Sequence, residues 1–438
     1  MTEKEAENFI EELQGYGSVP GLDSICELCR RLGNPQDALS FVHIAGTNGK
    51  GSILLLVSEA CREAKIRVGR YISPTISDYR ERFQINSRMI TKKALYSYLE
   101  RLKEVCDKMV EAGFRHPTSF EVETALAFLY FKEQNCDLVV LEAGMGGLGD
   151  ATNLITTTKV AVLASISMDH MAFLGKSLKE IAHQKAGIIK EGARVVAYPS
   201  PKEALEEIER MCLSQNISDN KYKVTDASAI MQPKYGLAKQ SFSYGAYKKM
   251  ELGLIGKHQL VNASVALDVI DALREAGYEI PEVCVRKAFR EAKWPGRMEI
   301  IAKKPYFVLD GAHNEDAARK LAESIRFYFT NRRIIYIMGI LKDKEYEKII
   351  ALTHSFADQI ITVKTPNNQR AMDAYELARE VSAYHSRVTA VDSLEEAVEV
   401  SYLLADKDTV ILAFGSLSFL GDLKKIVEVQ LKERHYGR

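Results

Sequence analysis

The stretch SFVHIAGTNGKGS, at residues 40–52, predicts the fold of this 438-residue chain. The run SFVHIA is typical of a buried strand, and the apolar run ILLLVSEACREAKI that follows predicts a helix. Between them lies a glycine-rich turn that contains Lys50 and ends at Ser52. Glycines let backbone N–H groups point into such a loop, and the helix N-terminus adds positive potential. The unit therefore predicts a nucleotide-phosphate site, with Lys50 reaching the β- and γ-phosphates and Ser52 binding Mg²⁺, although Gly51 separates the two.

Outward from this loop, short β-branched runs alternate with helical patterns. The runs RVGRYIS, DLVVLEAG, KVAVLASIS and ARVVAYP predict further strands, which favours a mostly parallel sheet covered on both faces. Residues 221–255 predict a β-meander or hairpin, and WPGR at 294–297 predicts a linker. Five more strands follow, in YFVLDG, RIIYIMG, QIITVKT, SRVTAV and TVILAFGS. We therefore predict an α/β fold, with a P-loop-type doubly wound domain at 1–294 and a smaller Rossmann-like domain at 298–438.

The composition excludes several classes of protein. Lys plus Arg and Asp plus Glu both count 59, so no basic excess indicates a nucleic-acid partner. No apolar run reaches the roughly 18 residues needed to cross a bilayer. The charged start MTEKEAENFIEELQG has no apolar signal-peptide core, so we expect a cytoplasmic protein. Its seven dispersed cysteines fit reduced thiols, and the CxxC pair Cys26 and Cys29 fits a helix better than a zinc or redox site.

A second glycine-rich stretch, residues 144–149, fits the GxGxxG pattern of dinucleotide-binding folds. Asp169 even lies 20 residues beyond Gly149, where such a fold places an acidic residue. A dinucleotide fold needs a crossover helix of a dozen or more residues before its next strand. Only the Thr-rich segment DATNLITTT separates Gly149 from Lys159. We therefore reject a dinucleotide site at this position.

Polar side chains follow three of the predicted strands of the first domain. Glu142 ends DLVVLE, Ser73 follows RVGRYI, and His170 follows KVAVLASIS. A carboxylate at a neighbouring strand end can hold the Mg²⁺ of a nucleotide, which predicts that role for Glu142. Mg²⁺ prefers oxygen ligands, so the chemistry alone argues less for His170. Lys185 and Lys190, in HQKAGIIK, have the pattern of solvated helix charges.

The second domain offers a further polar group at a strand end. The segment DGAHN, residues 310–314, follows YFVL and precedes a helix, so its side chains are expected to face the cleft between the domains. Capping of that helix by Asn314 is the alternative interpretation. The cluster HQLVN, residues 258–262, is open to the same alternative. Arg297, in the linker, is predicted to reach a triphosphate.

Together, these motifs resemble the folylpolyglutamate synthase and dihydrofolate synthase family of the Mur ligase superfamily. The resemblance extends in family order from about residue 20 to residue 425, through HIAGTNGKGS, SPTISDYRERFQIN, LEAGMGGLGDATN, SISMDHMAFLG, HQKAGIIK, GKHQLVNASVAL, PGRMEI, LDGAHN and FGSLSFLGD. It implies an ATP-dependent amide ligase of folate biosynthesis and one-carbon metabolism. In that reaction ATP phosphorylates a folate carboxyl, and the amine of L-glutamate attacks the acyl phosphate. ATP and Mg²⁺ are the implied cofactors, small molecules the only implied partners, and a monomer the implied state.

The resemblance also implies a role for individual residues. ATP binding is implied for Asn48, Gly49, Lys50, Gly51, Ser52, Asn262, Arg297 and Asp310. The implied Mg²⁺ ligands are Ser52, Ser73, Glu142 and His170. Catalytic roles are implied for Lys50, Lys185, Asp310 and His313, with Lys185 as a lysine that becomes carbamylated. The implied substrate-binding residues are Arg82, Phe120, Glu121, Gly149, Asp150 and Ala151.

Two departures from the family pattern lie near the substrate. Leu148 and Gly149 stand where the family commonly has Arg-Leu, and SPTIS replaces a Ser-Pro-His start. They leave open whether dihydropteroate is used as well as tetrahydrofolate. Two alternative functions are a UDP-muramyl-type amino-acid ligase and a non-ligase P-loop ATPase. SPTISDYRERFQIN and DGAHN favour the folate ligase, and Lys185 with the second domain argues against the ATPase. Arg80 and Arg82 are expected to neutralise substrate carboxylates.

Overall fold

The strand before the phosphate loop lies at the centre of an eight-stranded sheet. The computed structural model describes residues 1–17, 19 and 21–436. The strands of this sheet are β1 (Phe41–Ala45), β2 (Val68–Tyr71), β3 (Phe83–Ile85), β4 (Arg88–Met89), β5 (Leu138–Glu142), β6 (Thr158–Leu163), β7 (Arg194–Ala197) and β8 (Tyr222–Val224). Their order is β4-β3-β2-β5-β1-β6-β7-β8, and the antiparallel pairings are those of β3 with β2 and with β4. The prediction of a mostly parallel sheet is confirmed.

Helices cover both faces of this sheet. They are α1 (Glu3–Gln14), α2 (Asp23–Arg31), α3 (Lys50–Glu63), α4 (Lys92–Glu111), α5 (Ser119–Glu133), α6 (Met171–Leu174), α7 (Leu178–Ala186), α8 (Lys202–Ser214), α9 (Lys257–Glu275) and α10 (Glu282–Glu291). Successive strand side chains point to opposite faces. Val42 and Ile44 therefore join a core with α3, α9 and α10, whereas Phe41 joins one with α1, α2, α4 and α5. Because α3 is buried on nearly every side, the loop before it is held rigidly.

A small antiparallel sheet follows the large one. Its strands are β9 (Met231–Lys234), β10 (Gln240–Tyr244) and β11 (Tyr247–Leu252). The predicted meander over 221–255 is therefore confirmed in part, since its first strand, β8, instead pairs with β7 of the large sheet. Tyr328, on a helix of the second domain, donates to Gln240 Oε1 at 3.0 Å, so the small sheet contacts both domains.

The second domain has a six-stranded sheet. Its strands are β12 (Glu299–Lys303), β13 (Tyr306–Leu309), β14 (Ile334–Met338), β15 (Gln359–Thr362), β16 (Val388–Ala390) and β17 (Val410–Phe414), in the order β12-β13-β17-β14-β15-β16. Its helices are α11 (Glu315–Tyr328), α12 (Tyr346–Thr353), α13 (Ala374–Ser382), α14 (Leu394–Leu404) and α15 (Leu420–Tyr436). The Rossmann-like prediction is confirmed, with one addition. β12, which no sequence pattern predicted, is antiparallel to β13 and only half-buried.

The connection between β5 and β6 contains the GxGxxG stretch and no crossover helix. The two strands flank β1, so the connection crosses over that strand, and its only helical part is a 3₁₀ turn at Ala151–Leu154. The prediction that no crossover helix separates these two strands is confirmed. Cys26 and Cys29 lie on α2, and no disulfide joins any of the seven cysteines. None of the helices within the described residues has the length and apolar character needed to span a membrane.

Candidate active site

The phosphate loop, residues 46–52, is shaped by close contacts that require glycine. Gly49 precedes α3 with a φ of 88°, and a Cβ there would lie 2.7 Å from Asn262 Oδ1. Gly46 has a φ of 155°, and its Cβ would lie 2.6 Å from Ala164 Cβ. Each position combines a backbone angle that disfavours side chains with a neighbour that leaves no space. The loop therefore lies tightly between β6 and α9.

Lys50 and Glu142 form the charged centre beside this loop. Lys50 Nζ donates to Gly46 O at 3.0 Å and lies 3.9 Å from Glu142 Oε1. Burial raises the pKa of Glu142 to about 7, although Lys50, Arg297 and the backbone amide of Ser73 favour its ionised form. The surrounding cations thus do not fully compensate the burial of this carboxylate. An additional cation at the site would favour ionisation.

The four predicted Mg²⁺ ligands line adjoining cavities. Ser52 is buried and lines a small cavity of about 50 Å³. Glu142 lines a cavity of about 400 Å³, and His170 lines one of about 460 Å³. Ser73 lines both of these larger cavities and so connects Glu142 with His170. Across the described residues, no three His, Cys, Asp or Glu side chains gather into a metal-binding group. One carboxylate with two hydroxyls fits Mg²⁺, which usually keeps several waters and phosphate oxygens as ligands.

Backbone amides orient the side chain of Asp310, the first residue after β13. Asp310 accepts hydrogen bonds from the amides of Met298 and Ala312, both at 2.9 Å. Burial raises the pKa of Asp310, with Arg297 opposing the shift. Asn314 caps α11 by accepting from Ala317 N at 2.9 Å, so the capping interpretation of this residue is confirmed.

His313 lies between the two domains in its neutral form. Burial lowers its pKa to about 4, and Lys344 acts in the same direction. Its Nδ1 lies 2.7 Å from Gly311 O. A neutral imidazole with Nδ1–H donating to that carbonyl presents an unprotonated Nε2.

A small cavity of about 50 Å³ brings together most of the predicted ATP-binding residues. Its walls include Asn48, Gly49, Ser52, Asn262, Arg297 and Asp310, together with His313. The other two predicted ATP-binding residues face elsewhere: Lys50 points to Glu142, and Gly51 packs on Trp294. Asn48 Nδ2 donates to Asp316 Oδ2 at 2.8 Å, so the two domains touch across the loop.

A larger cavity of about 460 Å³ brings together all six predicted substrate residues. It is lined by Arg82, Phe120, Glu121, Gly149, Asp150 and Ala151. The second domain adds Lys344, Arg370 and Ser416, which the sequence analysis did not assign individually. A usable signal existed, since Lys344 and Ser416 follow closely after β14 and β17, where ligands of such sheets bind.

The arginines of DYRERF have different surroundings. Arg82 lines the larger cavity, where its Nε lies 3.0 Å from the buried carboxylate of Glu123. Arg80 instead pairs with Asp78 at 2.6 Å and does not line this cavity. Of these two arginines, Arg82 is therefore the one that faces this cavity. The Glu121 carboxylate is also already engaged, because Arg115 contacts it at 2.7 Å.

Lys185 differs from the solvated charge that its helix pattern indicates. It is 3 % exposed at the end of α7, and burial followed by Lys50 lowers its pKa to about 7, against the opposing effect of Asp169 and Asp150. At neutral pH a large fraction of the amine is unprotonated. Lys190 is only half-buried and donates to a backbone carbonyl at 3.3 Å. The surface interpretation is therefore wrong for Lys185.

Asp169 lies between His170 and Lys344 and so links the two domains. Asp169 lies 3.7 Å from His170 Nε2 and 3.6 Å from Lys344 Nζ of the second domain. Burial lowers the pKa of His170, with Lys344 and Lys185 acting in the same direction and Asp169 opposing them. His170 is thus kept mainly neutral, as a nitrogen ligand must be.

Comparisons with known proteins agree with this arrangement. The family described as "Mur ligase middle domain" matches residues 44–270. The family described as "Mur ligase, glutamate ligase domain" matches residues 296–417. The dihydrofolate synthase/folylpolyglutamate synthase of Bacillus subtilis is 32% identical over 96% of this chain and 98% of its own. The folylpolyglutamate synthase of Lacticaseibacillus casei is 31% identical over 83% of this chain and 87% of its own.

A solved structure extends this similarity to three dimensions. Mycobacterium tuberculosis folylpolyglutamate synthase, complexed with ADP and AMPPCP, superposes with a TM-score of 0.87 at 28% identity. The match covers 96% of this chain and 98% of the mycobacterial chain. The chain therefore belongs to the Mur ligase family, in its branch of dihydrofolate and folylpolyglutamate synthases.

Proposed function

We propose that this protein is an ATP-dependent ligase that joins L-glutamate to the terminal carboxyl group of tetrahydrofolate by an amide bond. One observation carries the proposal. The phosphate loop, the Asp310–His313 segment and the cavity of about 460 Å³ adjoin one another, with His313 lining both the nucleotide-side cavity and the larger one. Such an arrangement lets a phosphorylated carboxyl form and react without leaving the cleft.

We propose that the two domains divide the substrates. Residues 1–294 would bind ATP and the folate, since the phosphate loop and all six predicted substrate residues belong to that part. Residues 298–438 would bind L-glutamate, because Lys344 and Arg370 place cationic groups on the opposite wall of the cavity. Cations there complement the two carboxylates of the incoming amino acid.

Nucleotide binding is assigned to the loop and to the small cavity beside it. We propose that Asn48, Gly49, Lys50, Gly51 and Ser52 bind phosphates, with Asn262, Arg297 and Asp310 as further ATP contacts. Ser52, Ser73, Glu142 and His170 would hold Mg²⁺. When bound, Mg²⁺ neutralises charge on the triphosphate and on the phosphoryl group in transfer.

The reaction follows in two displacements. A carboxylate oxygen of the folate attacks the γ-phosphorus of ATP, the bond to the bridging oxygen breaks, and ADP leaves. Lys50 stabilises the charge that develops during this transfer. The neutral amine of L-glutamate then attacks the acyl carbon, phosphate leaves, and the amine loses a proton. His313 Nε2 is suited to orient that amine, because Nδ1 is occupied by Gly311 O.

Water must be kept from the acyl phosphate during these steps. Both domains contribute walls to the cavity, and the Asn48–Asp316 and Asp169–Lys344 contacts hold them together. Domain closure over bound substrates would therefore protect the intermediate. We propose that Lys185 acts beside this centre as a carbamate, which converts a cation into an anion.

The proposal also covers the oligomeric state, the partners and the location of the protein. We propose a monomer whose partners are small molecules, without nucleic acid or membrane; residues of one chain line both cavities. The absence of disulfides among the seven cysteines supports a cytoplasmic location.

The test is ADP release measured with tetrahydrofolate, dihydropteroate or a UDP-muramyl peptide as acceptor, each with and without L-glutamate. We expect release that requires both tetrahydrofolate and L-glutamate. Additional activity on dihydropteroate would add the second reaction that the Bacillus subtilis relative's name includes. Release that needs only ATP, or only the muramyl peptide with an amino acid, would contradict the proposal.

A further inference from the structure

A buried histidine lies beneath the turn that forms one wall of the substrate cavity. His43 is the third residue of β1 and is fully buried. The connection from β5 to β6 crosses over β1, and its 3₁₀ turn at Ala151–Leu154 lies above this histidine. His43 Nε2 lies 2.9 Å from Thr152 Oγ1. The contact joins a strand to a turn more than a hundred residues away in sequence.

Hydrogen-bond chemistry fixes the direction of this contact. Thr152 Oγ1 donates its single proton to Asp150 Oδ1 at 2.5 Å, so it must accept from His43 Nε2–H. Burial lowers the pKa of His43 to about 3, with Lys190 acting in the same direction, so the ring is neutral. Nδ1 then carries no proton, and it has no hydrogen-bond partner in the described part of the chain. The histidine is therefore held in one tautomer by a single contact.

The chain of hydrogen bonds ends at the cavity. Asp150 lines the cavity of about 460 Å³ together with its neighbours Gly149 and Ala151. Its other oxygen accepts from Met145 N at 2.7 Å, so both oxygens are oriented by the turn. Removing the Thr152 proton would leave the Asp150 carboxylate with backbone amides such as those of Met145, at 2.7 Å, and Thr152, at 3.0 Å. Asp150 would lose the shorter contact to Thr152 Oγ1, at 2.5 Å, and would be oriented less tightly by the turn.

We propose that His43 is a positioning residue for the folate substrate, because it orients Asp150 through Thr152. This inference rests on the proposed function, in which Asp150 contacts the folate. It assigns to β1 a second role beyond carrying the phosphate loop, which begins three residues later at Gly46. One rigid strand then sets the positions of both the nucleotide and the acceptor, so that the carboxyl and the γ-phosphate meet in register.

The chain offers a matched set of variants. In His43→Gln, the amide nitrogen occupies the position of Nε2 and can still donate to Thr152, whereas in His43→Asn it occupies the position of Nδ1 and does not reach it. Thr152→Ser keeps the hydroxyl, and Thr152→Val removes it with little change of shape. Thr158→Val is the control, because Thr158 is also buried beside β1 but its hydroxyl has no partner among the described residues.

The measurement is steady-state ADP release, giving kcat and separate KM values for tetrahydrofolate, L-glutamate and ATP. We expect His43→Asn and Thr152→Val to raise KM for tetrahydrofolate about tenfold, as the loss of one buried hydrogen bond predicts. KM for ATP should change less than about twofold. His43→Gln, Thr152→Ser and Thr158→Val should resemble the wild type. The double variant His43→Asn/Thr152→Val should be no worse than either single variant, because both break the same chain of contacts.

Several outcomes would overturn the inference. Unchanged KM for tetrahydrofolate in His43→Asn and Thr152→Val would remove the positioning role. An equal rise of all three KM values, or equal losses in His43→Gln and His43→Asn, would indicate a purely structural histidine. Failure of the proposed function is distinguishable, since the wild type itself would then release no ADP in response to tetrahydrofolate and L-glutamate.

Discussion

Lys185 should form a carbamate with CO₂ at neutral pH, and Lys190 should not. A carbamate requires the neutral amine. With the Lys185 pKa at about 7 instead of 10.5, half of this amine is neutral at pH 7. An ordinary lysine has roughly one neutral amine in 3,000 at that pH, so Lys185 is about a thousandfold richer in the reactive form.

The magnitude has a clear structural origin. Burial is the largest cause of the lowered pKa, and the Lys50 cation is the next. Conversion to a carbamate replaces a buried ammonium by an anion that faces Lys50, which reverses an unfavourable interaction. Lys185→Ala should therefore lose most activity, and a short carboxylic acid added in solution should restore part of it by filling the anion position. Lys185→Arg should stay inactive, because it keeps the positive charge.

The assay is carbon-13 NMR of the protein in labelled bicarbonate, with Lys185→Arg and Lys190→Arg as a matched pair. The wild type and Lys190→Arg should show one carbamate signal, and Lys185→Arg should show none. Lys185 is not the carbamylated residue if the wild type shows no such signal or if the signal persists without Lys185. It has no role in the reaction if Lys185→Ala is fully active.

Further predictions concern the charged centre and the cavity. Lys50→Ala should lower kcat about a hundredfold or more while the circular dichroism spectrum and thermal midpoint stay near wild type, since Lys50 is the half-buried first residue of α3 and its amine donates to the loop carbonyls of Gly46 and Thr47; near-normal turnover would remove it from the phosphate site. Glu142→Gln should weaken the Mg²⁺ dependence of the rate, and an unchanged Mg²⁺ titration would contradict its metal role. The same variant should be more stable than wild type at pH 8. Because the folded-state pKa of about 7 exceeds the ordinary 4.5, burial of the carboxylate costs stability progressively as pH rises through this window. The gain in unfolding free energy should reach up to about 3 kcal/mol at pH 8 and vanish below pH 4, as urea unfolding at both pH values would show. Arg82→Gln should raise KM for tetrahydrofolate more than KM for ATP, whereas Arg80→Gln should change neither.

Much of the fold could be predicted from residues that carry local signals. The loop at 46–52 and the long apolar runs identify β1, α3 and the parallel strands, because both fully buried strands and glycine-rich turns restrict composition. β12 was missed because its residues are only half-buried and have no clear alternation. The first strand of the predicted meander pairs elsewhere, a choice that depends on the neighbouring β7 and not on its own sequence.

The placement of candidate site residues was predictable where they lie at strand ends. Glu142 ends a strand and Ser73 and His170 follow strands, and parallel topology brings such ends to one edge. Burial was not predictable in the same way. Lys185 has the local pattern of a surface lysine, and only the packing of α7 against the rest of the domain buries it. The contact of His43 with Thr152 likewise depends on a connection that crosses over β1, which no local pattern reports.

Transfer of a carboxyl oxygen from the folate to phosphate would reveal the acyl-phosphate intermediate itself. The protein would be incubated with ATP, Mg²⁺, L-glutamate and tetrahydrofolate that carries oxygen-18 in its terminal carboxyl group, and the phosphate released would be analysed by mass spectrometry. We expect one oxygen-18 atom in each phosphate formed with the amide product, because the carboxylate oxygen bonds to phosphorus in the acyl phosphate and leaves with it. Amide product accompanied by unlabelled phosphate would exclude an acyl phosphate as the intermediate.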